Sequence, residues 1–438
     1  MFHRQIRHVR MLFPLLLLTI LLTIAPFKSV QADSIFVALR GRAVLPADSF
    51  APGPPSGFAI TGDTNGRPVP FASQPVQGVS AVLSKWNGNY LALVDNGFGS
   101  RGNSADFRLR WYEVQPNFAR GTVDVLGYTE LHDPQRLVPF PITNAAGDRV
   151  LTGSDFDPES FRQGPDGTFW YGDEFGPFLL HTDATGRLLE PPIPTPYPAA
   201  LAPFARGLPF IQSPDHPAFR ALPSADARRA ANLPSSRGFE GMALNTSATK
   251  LYLLLEGPLT DDPIRTRLLL QEFDPATKQY TGRAWFYPLS DPSHAIGELT
   301  ALNDTEFLVI ERDNQQGAAA GFKRIFKVDL QAAGADGMLA KTLVVDLLAI
   351  DDRSGVTQSE SNAVGLGPVF SFPFVTIEAV LPIDAHTLLV INDNNYPFSS
   401  GRRPGRAPDD TEFIVLQLQH GLRVDPTACG TRRDCSSR

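Results

Sequence analysis

Cysteine is almost absent. Cys429 and Cys435, both in the last ten residues, are the only two in 438. No C-x-x-C pair exists, which leaves no basis for a thiol-held metal or a dithiol redox centre. In an exported chain, a disulfide closing the tail at 421–438 is the plain expectation. There is also no G-x-S-x-G nucleophile elbow, H-E-x-x-H helix, Walker loop or dinucleotide fingerprint. The eight histidines are scattered. His181 and His294 lie near repeated motifs, where a hydrogen-bonded or surface role is expected rather than zinc. Helical periodicity is scarce, with Ala225 to Leu233 the main short candidate, and an α/β fold would need more.

Only one long apolar run occurs, Met11 to Phe27. Arg4, Arg7 and Arg10 precede it, and Val30-Gln31-Ala32 reads as a cleavage site before Asp33. That layout predicts a signal peptide over residues 1–32. A retained anchor competes, because the run is at the lower limit for a bilayer span. Pro14, Pro26 and the tripeptide favour removal. The leader holds four basic residues and no acidic ones, so the remainder carries 39 − 4 = 35 basic against 46 acidic residues, a net −11. Nucleic acid is an unsuitable partner for such a chain. The mature protein is expected to be a soluble monomer, periplasmic or extracellular, with no membrane contact.

What is abundant is punctuation. The chain has 39 Pro and 36 Gly, suited to short strands and many turns. Five segments share one plan, a strand, a turn, and a second strand ending in acidic residues. They run from Ser80 to Asp95, Glu159 to Asp173, Glu240 to Glu256, Glu298 to Glu311, and Glu378 to Asp393. The spacings are 15, 14, 16, 13 and 15 residues, which puts both marked residues at one end of a hairpin. Runs such as Leu251 to Leu255 and Thr387 to Ile391 are continuous and apolar, as strands buried on both faces require. The prediction is an all-β protein, a β-propeller over 33–420 with six blades expected and five or seven as the alternatives. Ser34 to Leu39 and Glu412 to Leu418 would pair to close the ring and remove exposed edges. The main insertion, 190–234, has 11 Pro in 45 residues. A solvent-exposed loop is the default for it, and a lid beside the channel the alternative.

Four glutamates, Glu159, Glu240, Glu298 and Glu378, stand at matching points of successive units. Propeller inner strands line the channel, so such residues would face one another and repel unless neutralised. Ca²⁺ takes six to eight oxygen ligands and fits this set. Asp95, Asp157, Asp173, Glu256, Glu311, Asp313 and Asp393 are the further candidate metal ligands, with Asn96 and Asn394 beside them. Asp155-x-Asp157-x-Glu159 is not an EF-hand loop, since it lacks the glycine and the flanking helices. Arg237 and Arg312 flank the acidic tips and have the fork geometry for phosphate oxygens. Ordinary ion pairing with the acids is the competing role for both arginines, as capping of hairpins is for the carboxylates.

Asp155-Phe-Asp-Pro-Glu-Ser160, Phe169-Trp-Tyr-Gly-Asp-Glu-Phe-Gly-Pro-Phe178, Arg237-Gly-Phe-Glu-Gly241, Ile310-Glu-Arg-Asp-Asn314 and Asn392-Asp-Asn-Asn-Tyr-Pro-Phe398 resemble the phytase-like esterase family of exported bacterial proteins. The match runs from about Gly78 to Leu418. The resemblance implies a calcium-dependent hydrolase of phosphoric esters acting on a small molecule. Glu159, Glu240, Glu298 and Glu378 would hold metal or activate water, and Arg237 and Arg312 would contact phosphate. A calcium lactonase or carboxylesterase, or a propeller that only binds, are the alternatives.

Overall fold

The computed structural model describes residues 36–428 and Met1. The leader and both cysteines therefore lie outside the described residues.

The strands assemble into five four-stranded antiparallel blades. Blade one is Val79–Ser84, Tyr90–Val94, Arg110–Asn117 and Thr122–Glu130. Blade two is Pro158–Gln163, Phe169–Asp173, Phe178–Thr182 and Ile193–Pro194. Phe239–Leu244, Leu251–Leu255, Arg267–Asp274 and Gln279–Pro288 make blade three. Ala295–Ala301, Glu306–Arg312, Lys323–Asp329 and Lys341–Asp346 make blade four. Blade five joins Ala379–Asp384, Thr387–Ile391 and Thr411–Leu418 to the first strand of the chain, Val37–Leu45.

The ring of five is sealed by five apolar layers, one between each pair of neighbours. Leu93, Phe161 and Tyr171 fill the space between blades one and two. Trp170, Met242 and Leu253 lie between two and three, and Tyr252, Leu270 and Phe307 between three and four. Ile310, Ile325 and Val390 pack between four and five. Val79, Val94 and Phe413 close the circle between five and one. A second strand such as Leu251–Leu255 is buried along its whole length because each face meets a different blade. Its continuous apolar run follows from that, each side chain contributing about 1.5–3 kcal/mol on burial.

The expected pairing of the chain's ends is present. Val37–Leu45 runs antiparallel to Thr411–Leu418, with Val44 opposite Glu412. The described strands make five such sheets, one of the alternatives to the six expected. The terminal strands do not build a further blade but complete the fifth, and each blade needs one inner hairpin, of which the described residues have five. Segment 190–234 folds into two 3₁₀ turns and the helix Ser224–Ala230. Its Leu201, Ile211 and Leu233 pack into the layer between blades two and three.

Candidate metal centre

The first strands of blades one to four carry a β-bulge or irregularity near their starts, and this decides which residues meet. In blade one, Val79 pairs with Val94 and Ala81 with Leu93, leaving Ser80 as the extra residue. Glu159 is the extra residue of blade two, Glu240 of blade three and Gly297 of blade four. In blade five, Ala379 pairs with Ile391, which puts Glu378 in the same place. At the matching end of the second strands stand Asp95, Glu174 and Glu256, each one residue past its strand, Arg312, the last residue of its strand, and Asp393, two residues past Ile391. The site is thus two tiers of five positions in which blade four departs from the others, with glycine in one tier and arginine in the other.

These tiers line a cleft of about 180 Å³ holding eight carboxylates: Asp95, Asp157, Glu159, Glu174, Glu240, Glu256, Glu378 and Asp393. Arg237 and Arg312 are its two guanidinium groups. Arg312 is 4% exposed and reaches Glu256 at 3.0 Å, Glu378 at 3.7 Å and Glu240 at 3.8 Å. Arg237 pairs with Glu256 from the other side. Two guanidinium groups thus face eight carboxyl groups in one cleft.

The carboxylates respond as crowding demands. Burial, and then the charges of Asp157, Glu240 and Glu378, raise the Glu159 pKa well above the ordinary range. Burial with the Asp157 and Glu256 charges does the same to Glu174. Burial pushes Asp157 and Asp393 up to about 6. Buried groups held this close ionise together only if a cation joins them.

Two overlapping triads have the donors to hold one. Oxygens of Asp157, Glu159 and Glu174 lie within 4.8 Å of one another, as do those of Glu174, Glu240 and Glu256. Ligands on opposite sides of a Ca²⁺ ion, each at about 2.3–2.6 Å, stand about as far apart. The donors are all oxygen, with no histidine in the cleft lining, which suits a hard cation and not zinc or copper. Asn96 positions the first triad by donating from its backbone and side chain to the two Asp157 oxygens at 3.0 and 2.6 Å.

Nine of the residues expected from sequence line this cleft: Asp95, Asp157, Glu159, Glu240, Glu256, Glu378, Asp393, Arg237 and Arg312. Four others are directed elsewhere. Asp173 accepts the N–H groups of Asp157, Gly176 and Phe178 and so fixes the turn beside the cleft. Glu298 is one residue past the bulge. It accepts from Arg162, which crosses from blade two to blade four, and burial raises its pKa to about 7. Glu311 turns to the seam between blades three and four, where Tyr287, His294 and Lys341 hold it. Asp313 pairs with Lys323 and caps Gly321 and Phe322.

Glu174 is the residue that the spacing argument missed. Counting from the bulge gives 15 for Ser80–Asp95, Glu159–Glu174, Gly297–Arg312 and Glu378–Asp393, and 16 for Glu240–Glu256. That near-constant interval was the available signal. Choosing an acid in every blade hid it, because blade four supplies none.

A family model named Phytase-like, described as esterase-like activity of phytase, matches residues 74–396. An uncharacterized secreted protein of Arthroderma benhamiae is 25% identical over 312 residues, covering 66% of this chain and 55% of that protein. The chain thus spans about half the length of the curated relative it matches. Among solved structures, a protein of unknown function from Dyadobacter fermentans is similar at a TM-score of 0.40 and 10% identity, covering 87% of this chain and 99% of that one. Regucalcin from Agrobacterium tumefaciens, a calcium-binding protein, is similar at 0.38 and 11%, covering 89% and 96%. With a match running through all five inner hairpins, the chain belongs to the phytase-like family.

Proposed function

We propose that the protein is an exported, calcium-dependent hydrolase of phosphoric esters. The observation that carries this reading is the pair of oxygen triads sharing Glu174 beside the guanidinium groups of Arg237 and Arg312. Asp157, Glu159, Glu174, Glu240 and Glu256 would hold the cation. Bound there, Ca²⁺ would neutralise the carboxylates and polarise a phosphoryl oxygen.

The protein's own groups then have distinct tasks. Arg312 has a buried Nε–H with no partner among the described residues, a donor free for a substrate oxygen. Glu378 lies outside both triads, and burial with the Asp393 charge raises its pKa. It is therefore suited to take a proton from the attacking water. The basic-apolar leader and the description of the fungal relative as secreted support export, to the periplasm or beyond the cell.

The test is phosphate release from a panel of phosphomonoesters and diesters by the purified chain. Release should stop with EDTA and return with millimolar calcium. A calcium-loaded protein that releases none overturns the reading. Turnover of lactones or acyl esters instead would select the carboxylic ester chemistry.

A further inference from the structure

The first strands run from the acidic cleft to a cavity of about 310 Å³ at their other ends, where Leu83, Arg162, Leu244, Thr300 and Leu381 are among the lining residues. Between cleft and cavity lies an ion pair that joins two blades which are not neighbours. Arg162, on the first strand of blade two, reaches past blade three to the first strand of blade four. Its Nη2 donates to Glu298 Oε1 at 3.0 Å, to the Leu299 carbonyl at 2.8 Å and to the Thr300 hydroxyl at 3.2 Å. Its Nη1 donates to the Phe161 carbonyl at 2.6 Å. Both side chains are buried.

The inner strands are shaped around this pair. At the first pairing after the bulge stand Ala81, Ser160, Gly241 and Glu298, with Ala379 in the same place in blade five. Four small residues leave room that the glutamate of blade four fills. Burial raises the Glu298 pKa, while Arg162 and the backbone N–H groups of Leu299 and Met242 pull the other way. The carboxylate therefore senses blades two, three and four together. A Cβ on Gly241 would lie 2.8 Å from Leu299, so blade three is pressed against blade four. Beyond the pair the strand ends face a cavity and not packed side chains, so the spacing of these inner strands rests on the pair.

That spacing matters for one triad more than for the other. Asp157, Glu159 and Glu174 all belong to blade two, whereas the second triad joins Glu174 to Glu240 and Glu256 of blade three. Calcium takes oxygens at about 2.3–2.6 Å in flexible geometry, and magnesium demands about 2.0–2.1 Å in a near-ideal octahedron. A fixed frame keeps the second triad from closing on the smaller ion. We propose that Arg162 and Glu298 are positioning residues that hold the blades at calcium spacing and so set the preference of the centre for calcium over magnesium. The proposal rests on the calcium reading above, but not on the ester chemistry.

Calorimetric titration of calcium, and separately of magnesium, into the chelator-stripped full chain tests it. Arg162→Met combined with Glu298→Gln removes both charges, so neither is left buried alone, and the metal-free thermal midpoint should stay near wild type. Calcium affinity should fall by about tenfold or more, as it does when a group that orients metal ligands is lost. Magnesium affinity should change less, so that the ratio of the two narrows. Arg162→Lys keeps the charge but not the fork to Leu299 and Thr300, and should give a smaller shift in the same direction. An unchanged ratio in both variants overturns the proposal, whether the affinities are kept or fall alike for the two ions. Wild type that binds no calcium would sink the calcium reading and this proposal with it. A narrowed ratio in a protein that releases no phosphate from esters would leave the positioning role standing and sink the hydrolase reading alone.

Discussion

Replacing Glu174 takes one oxygen charge from both triads at once, whereas its neighbour Asp173 serves only the backbone. The two substitutions therefore separate metal binding from turn formation. Glu174→Gln should remove most of the calcium-induced rise in thermal midpoint while leaving the metal-free midpoint close to wild type. Asp173→Asn should lower stability by about 1–3 kcal/mol through weakened acceptance of buried N–H groups, with the calcium response retained. Differential scanning fluorimetry with and without EDTA reads both. Glu412 makes a prediction of a different kind. It is buried between Arg402 and Arg42, and although burial opposes it, these charges lower its pKa from 4.5 to about 2. A lowered carboxylate pKa gives stability that is complete above the unfolded value and lost as pH falls through the folded one. Unfolding free energy should therefore drop between about pH 4.5 and pH 2, by on the order of 3 kcal/mol. Glu412→Gln should flatten that part of the acid-unfolding curve and cost about 3–5 kcal/mol at neutral pH, since Arg402 stays buried without its partner.

At the scale of elements, the hairpin is the unit that sequence reveals and the bulge is the part it conceals. Apolar runs such as Leu251 to Leu255 mark second strands because both faces are buried. An added residue in the first strand leaves no such mark, yet it moves every following side chain. Glu298 and Glu311 look like members of the ring, but the extra residue of blade four is Gly297; Glu298 is taken up by Arg162 of blade two, and Glu311 by Tyr287, His294 and Lys341. The family motif Arg237-Gly-Phe-Glu-Gly241 shows how tightly these elements meet. A Cβ on Gly238 would lie 2.2 Å from the Glu174 carbonyl oxygen, so only glycine lets blade three approach blade two there. Gly238→Ala should destabilise by about 1–3 kcal/mol through overpacking. It should also weaken calcium binding, because Glu174 and Glu240 stand on the two sides of the contact that would be pushed apart. Stability loss with an unaltered calcium affinity would show that the triads do not depend on this contact.

Residues 36–428 form a ring of blades around a cleft lined by eight carboxylates and two arginines. Calcium should therefore act as a folding ligand. At about a hundred times its dissociation constant it would add about 2.7 kcal/mol, seen as a midpoint that climbs with calcium concentration and collapses with EDTA. An unchanged midpoint would argue that protonation alone settles the cleft. All-β character and the ring closure by terminal strands were readable beforehand, because alternating turns and apolar runs recur along the chain. The number of blades was not, since a lone terminal strand looks the same whether it begins a sheet or finishes one. Finishing one has a consequence in time. Arg42 and Glu412 meet across 370 residues, and the strand made first at the ribosome waits for the strand made last. Four blades can form from local hairpins as synthesis proceeds, but the circle cannot shut before the final strand is released. A chain that stalls short of Thr411 leaves Val37–Leu45 without its long antiparallel partner, with most of that edge unpaired.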